Sequence, residues 1–313
     1  MTEETPRSPR PTVVYGLMGL ISLVWGSTWL VIRTGLDDMP PLLGAGVRFI
    51  VAGAVMAGLV PLLRAREGGE RPPWNVVLAQ ALCQFTGNFA LVYWCETVIP
   101  SGLVSVLWAT FPLMMALTGH FVTRAERLHG RQWLGLVLAF VGVASLFGTD
   151  VARGGPRAVT MGLLLLLAPA SVTYSTVLVK RHAARASSLI LNRDSMLIGG
   201  VLLLLLSALF ERGAPVRVTP GAVFSVLYLA LLGSVVTFGA YLWLLRTVPA
   251  YRLSLVSYVT PVFALLLGRT LRAEPFGRAT LAGTALVLLG VAFTLRRGGA
   301  QASPGGPQRV APR

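Results

Sequence analysis

The chain has 313 residues, of which 54% are hydrophobic and only 12% are charged. A soluble domain of this length has about 25% charged residues, so the composition excludes a soluble globular protein. The formal net charge of +15 does not indicate nucleic-acid binding. The basic residues stand in small groups between apolar stretches rather than with aromatic residues along one face.

Apolar stretches long enough to cross a hydrocarbon core as helices follow one another along most of the chain. The pattern predicts an all-α integral membrane protein of ten transmembrane helices. The predicted helices are 13–34, 41–63, 75–97, 101–122, 132–148, 158–179, 187–210, 221–245, 253–268 and 279–295. The segments 1–12 and 298–313, rich in Pro, Gly and charge, are expected to be disordered cytoplasmic tails.

The distribution of Lys and Arg predicts the orientation of these helices. With ten spans both termini lie on one face, and seventeen Lys and Arg residues fall on that face against seven on the other. Positive charge marks the cytoplasmic side of a membrane protein. We therefore expect a multi-pass protein of the inner (plasma) membrane with both termini in the cytoplasm.

The sequence also contains an internal repeat, which predicts two related halves. Pro112 and Pro261 fall in the middle of the fourth and ninth predicted helices. Around them Trp94 matches Trp243, Pro100 matches Pro249, Ser105 matches Ser254, Glu126 matches Glu274, Gly135 matches Gly283 and Gly142 matches Gly290. The first five-helix repeat is predicted at 13–148 and the second at 158–295. Five is an odd number, so the copies enter the membrane from opposite sides, as in alternating-access transporters. A duplicated scaffold is the alternative. In the fifth and tenth helices Gly135 with Ala139, and Ala279 with Gly283, stand at the small-xxx-small spacing that predicts close helix packing.

Several motifs resemble the EamA-type transporters of the drug/metabolite transporter superfamily. The residues that carry the resemblance are Trp25–Trp29, Pro40–Leu43, Arg48-Phe49, Tyr93–Glu96, Ile99–Leu103, Pro112 and Glu126–Leu128. The resemblance covers nearly the whole chain and implies a ten-helix inverted-repeat fold that moves metabolites, often exporting amino acids or related solutes. The resemblance does not identify the substrate. In the second half Ala170–Tyr174 replaces the Trp-Gly element, so the halves need not contribute equally to a site.

Polar and aromatic residues at helical spacing predict the substrate pathway. The fourth helix contributes Ser105, Trp108 and Pro112, and the ninth contributes Ser257, Tyr258 and Pro261. Gln84 and Asn88 stack in the third helix, with Thr237 and Tyr241 as counterparts in the eighth, while Trp25, Trp29 and Tyr174 supply aromatic walls. The alternatives are proline kinks made for packing, amides that bond neighbouring helices, and Trp29 as an interfacial anchor.

Two ionisable residues inside the predicted spans are candidates for coupling or charge recognition. Glu96, near the outer end of the third helix, could exchange a proton or pair with a cationic solute. Arg48, in the second helix, could hold a carboxylate or pair with Glu96. The alternatives are an interfacial carboxylate and an arginine that snorkels to the headgroups.

Signatures of enzymes are missing from the sequence. It shows no metal-ligand cluster, phosphate-binding loop or nucleophile elbow, so we expect no enzyme, cofactor or bound metal. The sequence predicts a secondary transporter that moves a small metabolite by alternating access. The residues are as compatible with import as with export, and the resemblance implies export of an amino acid or related amphipathic solute. The expected partners are a small-molecule substrate, the lipid bilayer and protons, with no nucleic acid, and the protein is a monomer or homodimer. A flippase for lipid carriers or lipid-linked sugars is the alternative.

Overall fold

The structure is a computed structural model that describes residues 11–122, 128–247, 256–275 and 277–295. Helices occupy almost all of these ranges. They are α1 (Pro11–Gly35), α2 (Pro41–Glu67), α3 (Trp74–Glu96), α4 (Ser101–Phe121), α5 (Gly130–Leu146), α6 (Gly155–His182), α7 (Ser188–Phe210), α8 (residues 220–247), α9 (Val256–Arg272) and α10 (Arg278–Leu295). The tails expected to be disordered lie almost wholly outside the described residues.

Eight of the described helices, α1 to α8, are long and apolar enough to cross a membrane. Helices α9 and α10 have 17 and 18 residues, close to the lower limit of about 17 for a spanning helix. The all-helical membrane fold predicted from the sequence is therefore confirmed, whereas the count of ten spans stays a prediction. The observed helices α2 and α6 extend beyond the predicted 41–63 and 158–179 because their polar ends continue as helix.

Two helix pairs form the tightest contacts in the described part of the bundle. In α2 and α7, Gly46 faces Leu204 and Gly53 faces Leu197, so that a methyl group on either glycine would lie within 3 Å of the leucine. Helices α5 and α10 meet backbone to backbone at Gly135 and Gly290. Small residues let helix backbones approach closely, so the predicted role of Gly135 in packing is confirmed.

Glutamate side chains cap the N-termini of neighbouring helices in the bundle. Glu211, just after α7, accepts hydrogen bonds from the backbone N–H groups of Leu42 (2.8 Å) and Leu43 (3.0 Å) at the start of α2. Glu67, at the end of α2, accepts in turn from Ser188 N (2.9 Å) at the start of α7. A carboxylate at a helix N-terminus satisfies free N–H groups and complements the helix dipole. Each helix of the α2–α7 pair therefore caps the other.

A third cap joins α9 to α4. Glu274 accepts from Ser101 N at 3.0 Å and from Gly102 N at 3.1 Å. Ala273, just before it, has a φ of 51°, a conformation that L-residues rarely adopt. This local turn directs Glu274 back toward α4. We call this end of the bundle, where α3 ends and α4 begins, the Glu96 end.

Candidate functional site

The middles of α3 and α8 contain matching π-helical segments. They span Gln80–Gly87 and Leu231–Val236. In each segment a hydroxyl group bonds the carbonyl oxygen five residues earlier: Thr86 Oγ1 to Ala81 O, and Ser234 Oγ to Leu229 O, both at 2.9 Å. Such π segments disturb the regular ladder and are frequent at functional sites. The sequence analysis did not predict them.

Helices α1 and α8 meet beside the second π segment. The indole N–H of Trp25 donates to Thr237 Oγ1 at 2.9 Å. The ring of Trp25 lies 5.4 Å from that of Tyr241 and 5.8 Å from that of Phe238. The structure thus brings together three predicted pathway residues, Trp25, Thr237 and Tyr241, from distant parts of the chain.

A second group of predicted residues meets between α1, α3 and α4. The indole N–H of Trp108 donates to Asn88 Oδ1 at 2.8 Å, and the ring of Trp108 lies 6.2 Å from that of Trp29. Trp29 is buried and its own N–H group has no hydrogen-bond partner. Trp29 therefore does not lie at an exposed protein surface, as an interfacial anchor would.

The remaining predicted pathway residues lie in different surroundings. Ser105 is buried and donates to Gly102 O in its own helix at 2.6 Å. Gln84 lies in the π segment of α3, where its backbone oxygen accepts from Asn88 Nδ2. Pro112 is buried just after a break in α4 at Ala109 and Thr110.

The described candidates on α6 and α9 do not join either of these two groups. Pro261 is buried inside α9. The side chains of Ser257 and Tyr258 lie outside the described part of the chain. Tyr174 on α6 is 59% exposed, so the structure does not bring it into either buried group.

Arg48 is buried deep in the bundle, with 2% of its surface exposed. Its Nε donates to Ser234 Oγ at 3.2 Å and one Nη lies 3.5 Å from Gly233 O, both on the π segment of α8. Its guanidinium carbon lies 5.0 Å from the ring centre of Phe49 and 4.6 Å from that of Phe89, an arrangement that favours a cation. The burial excludes snorkelling to the membrane surface in this structure.

Glu96 is the last residue of α3 and is fully buried. Neither carboxylate oxygen has a hydrogen-bond partner. Arg33 of α1 donates to the backbone oxygen of Glu96 rather than to its carboxylate. Glu96 lies within electrostatic range of Arg48, Arg33 and Glu274, but the described residues include no ion pair between Glu96 and Arg48.

Sequence reasoning missed the aromatic residues that connect these groups. Phe49 packs at 5.1 Å against Phe85 and at 4.7 Å against Phe89, and Phe85 lies 5.9 Å from Phe238. Phe85 and Phe89 stand one helical turn apart and flank Asn88, a pattern that could have found them. Together with Trp25 they link the π segments of α3 and α8 through ring contacts.

Two cavities lie at the margins of the bundle. One, of about 290 Å³, is an apolar groove between α1 and α9 lined by Met18, Val259 and Phe263 among others. The other, of about 250 Å³, is polar and lies at the Glu96 end between Arg33, Arg272 and Glu274. Among the described residues there is no His, Cys, Asp and Glu cluster that could hold a metal ion.

Comparison with known proteins gives consistent matches over almost the whole chain. The sequence model of the EamA-like transporter family matches residues 13–148 and again residues 160–296. The chain is 29% identical over 266 residues, 85% of each protein, to the uncharacterized inner membrane transporter YedA of Escherichia coli K12. It is 32% identical over 284 residues to a probable amino-acid metabolite efflux pump of Salmonella typhimurium, covering 87% of this chain and 91% of that protein.

The comparison extends to a solved structure. A protein crystal structure superposes with a TM-score of 0.66 over 91% of this chain and 98% of its own. The two sequences are 22% identical, so this likeness concerns the fold alone.

Proposed function

The chain belongs to the EamA-like transporter family, and from this premise we propose that it is a secondary transporter that moves a small metabolite across the inner membrane by alternating access. One observation carries the proposal beyond the family: buried polar groups from both halves meet around the π segments of α3 and α8. The hydrogen bond between Trp25 and Thr237, and that between Arg48 and Ser234, are examples. Irregular backbone at membrane depth is tolerated where it faces protein or a cavity.

The proposed architecture is ten transmembrane helices in two inverted five-helix repeats, 13–148 and 158–295. Three features support it. The family model matches the chain twice, the π segments recur in α3 and α8, and Glu67 and Glu211 cap each other's helices. The excess of Lys and Arg supports cytoplasmic termini.

The proposed substrate is an amino acid or a related amphipathic solute, and the proposed direction is export. The name of the Salmonella relative supports this choice. Energy comes from an ion gradient, with protons as the candidate ion. Apart from the buried groups already described, the proposed pathway retains Gln84, Ser105, Pro112, Tyr174, Ser257, Tyr258 and Pro261.

A lipid-carrier or lipid-linked sugar flippase is the second candidate. The apolar groove between α1 and α9 favours it, because its walls are formed by Met18, Val259, Phe263 and other apolar side chains that suit an acyl or prenyl chain. A flippase would require such a lateral opening, whereas a transporter of soluble solutes would not.

Counterflow in proteoliposomes tests the proposal. Vesicles containing the protein are loaded with an unlabelled solute and the entry of the labelled solute is measured, for amino acids, amphiphilic cations, sugars and a lipid-linked sugar. We expect uptake of one soluble class, with a loss of at least about tenfold in Trp108→Ala. Uptake of the lipid-linked sugar alone would favour the flippase, and uptake of nothing by a folded protein would contradict transport.

A further inference from the structure

Two opposite charges lie buried and unpaired between α2 and α3. Arg48 keeps one terminal nitrogen, and Glu96 both carboxylate oxygens, without a hydrogen-bond partner. The exposed fraction is 2% for Arg48 and 0% for Glu96. Burying an ionised group without a partner costs several kcal/mol. Intramembrane charges of this kind therefore mark functional sites.

Some opposite charges elsewhere in the described residues form direct ion pairs. Arg193 lies 2.7 Å from Asp194 in α7, and Arg217 lies 3.1 Å from Asp38 near the Glu96 end. Arg48 and Glu96 form no such contact, although each lies within the electrostatic range of the other. A structural ion pair therefore does not explain these two residues.

Tyr93 adds a third unpartnered group at the same place. It is 3% exposed and precedes Glu96 by three residues on α3, so the two side chains lie on one face of the helix. Its hydroxyl lies within electrostatic and hydrogen-bonding range of Arg48, but no well-formed hydrogen bond satisfies it. Arg48, Tyr93 and Glu96 thus lie within electrostatic range of one another, and each keeps at least one polar atom without a well-formed hydrogen bond.

Given the transport function proposed above, we propose that Arg48, Tyr93 and Glu96 recognise the charged end of a zwitterionic α-amino acid. The carboxylate of the solute accepts from Arg48 and Tyr93, and its ammonium group donates to Glu96. This solute supplies a hydrogen-bond partner of the right charge to all three residues. Glu96 then binds the solute itself rather than only a coupling proton.

The residues around Arg48 hold its guanidinium group in one position. The rings of Phe49 and Phe89 both pack against the guanidinium, and Ser234 and Gly233 accept its hydrogen bonds from the other half. These contacts use Nε and one terminal nitrogen and leave the other one free. A guanidinium held in this way loses little entropy when a carboxylate binds.

Helix α1 covers the site from one side. A Cβ atom built on Gly233 would lie 3.0 Å from the methyl carbon of Thr28 and 3.6 Å from the guanidinium of Arg48. Thr28 and Arg48 therefore both pack against the same point of α8. A movement of α1 away from α8 would open a path to Arg48, consistent with alternating access.

The test uses solutes that differ only in charge, with the full-length protein in lipid nanodiscs. L-phenylalanine carries both charges, its methyl ester lacks the carboxylate charge and N-acetyl-L-phenylalanine lacks the ammonium charge. The same three forms of leucine and glutamine cover smaller and polar side chains. We expect the zwitterion of at least one amino acid to bind about tenfold or more tightly than either derivative.

Two conservative variants separate the roles. Tyr93→Phe should weaken the zwitterion and the N-acetyl form severalfold and leave the ester unchanged. Glu96→Gln should weaken the zwitterion and the ester and leave the N-acetyl form unchanged. Glu96→Gln breaks no hydrogen bond of the fold because the Glu96 carboxylate has no partner, and Tyr93→Phe removes only the contact of its hydroxyl with Arg48. Tyr15→Phe, at an exposed position of α1 outside the proposed pathway, is the control and should bind all three forms like the wild type.

Three outcomes would overturn the inference. They are equal binding of the zwitterion and its derivatives in every series, loss of all forms alike in either variant, and unchanged binding in both variants. Counterflow of sugars or amphiphilic cations, with no amino acid bound, would reject the zwitterion site and leave the transport proposal standing. No counterflow of any solute by folded protein would reject both.

Discussion

The packing of α5 against α10 gives a quantitative prediction. A Cβ atom added to Gly290 would lie 2.5 Å from both Gly135 O and Ala139 N, whereas ordinary contacts begin near 3.4 Å. Both neighbours are backbone atoms that cannot rotate away, so Gly290→Ala must push the helices apart by about 1 Å. Overpacking of this kind costs about 1–3 kcal/mol.

Gly58→Ala in α2 is the matched control. The position lies within a helix and a Cβ atom there meets nothing within 4 Å. Replacing a helical glycine by alanine at an open position stabilises by about 0.5–1 kcal/mol. This gain applies to both variants, so the difference between them isolates the packing cost of about 1–3 kcal/mol.

Thermal unfolding in detergent measures this difference. All variants and the wild-type reference carry Cys83→Ser, which removes the partly buried second thiol, so that a thiol-reactive fluorogenic dye reports the exposure of the buried Cys95. We expect a lower midpoint for Gly290→Ala than for the wild type, and a midpoint for Gly58→Ala at or above it. Equal midpoints for the two variants would show that α5 and α10 do not meet at Gly290, and the reasoning would fail.

The remaining predictions concern hydrogen bonds and charge. Glu211→Gln should lower the free energy of unfolding by about 1–2 kcal/mol because it weakens the cap on α2. Glu70→Gln, at an exposed position, is the control and should leave the stability unchanged. Equal midpoints for the two variants in thermal unfolding would contradict the cap. Trp25→Phe removes the hydrogen-bond donor to Thr237, so it should lower the free energy of unfolding by about 1 kcal/mol and reduce counterflow. Wild-type stability and wild-type counterflow would argue against this contact. If Glu96 also carries a coupling proton, Glu96→Gln should abolish the pH dependence of flux, and unchanged flux and pH dependence would rule that role out.

The sequence predicted the helical membrane fold well, because hydrophobic length alone specifies a spanning helix. It also predicted the close packing at Gly135, since small residues at helical spacing have few other uses in a membrane. It missed the π segments in α3 and α8. Their hydrogen bonds depend on single hydroxyl groups, Thr86 and Ser234, which look like any other polar residue in an apolar run.

The site could be predicted only in part, because its geometry depends on contacts between residues far apart in the chain. Spacing along single helices made Trp108, Asn88, Arg48 and Glu96 candidates. It could not show that Trp108 bonds Asn88 across two helices, or that Arg48 and Glu96 form no ion pair. To recognise that Arg48 and Glu96 are unpaired, one must know every neighbour of both side chains, including Ser234 from the second half. The unpaired charges, rather than the presence of charged residues, favour recognition of a solute over a structural ion pair. A structural ion pair that needs no solute would already be in contact, as the partly exposed Arg193 and Asp194 are.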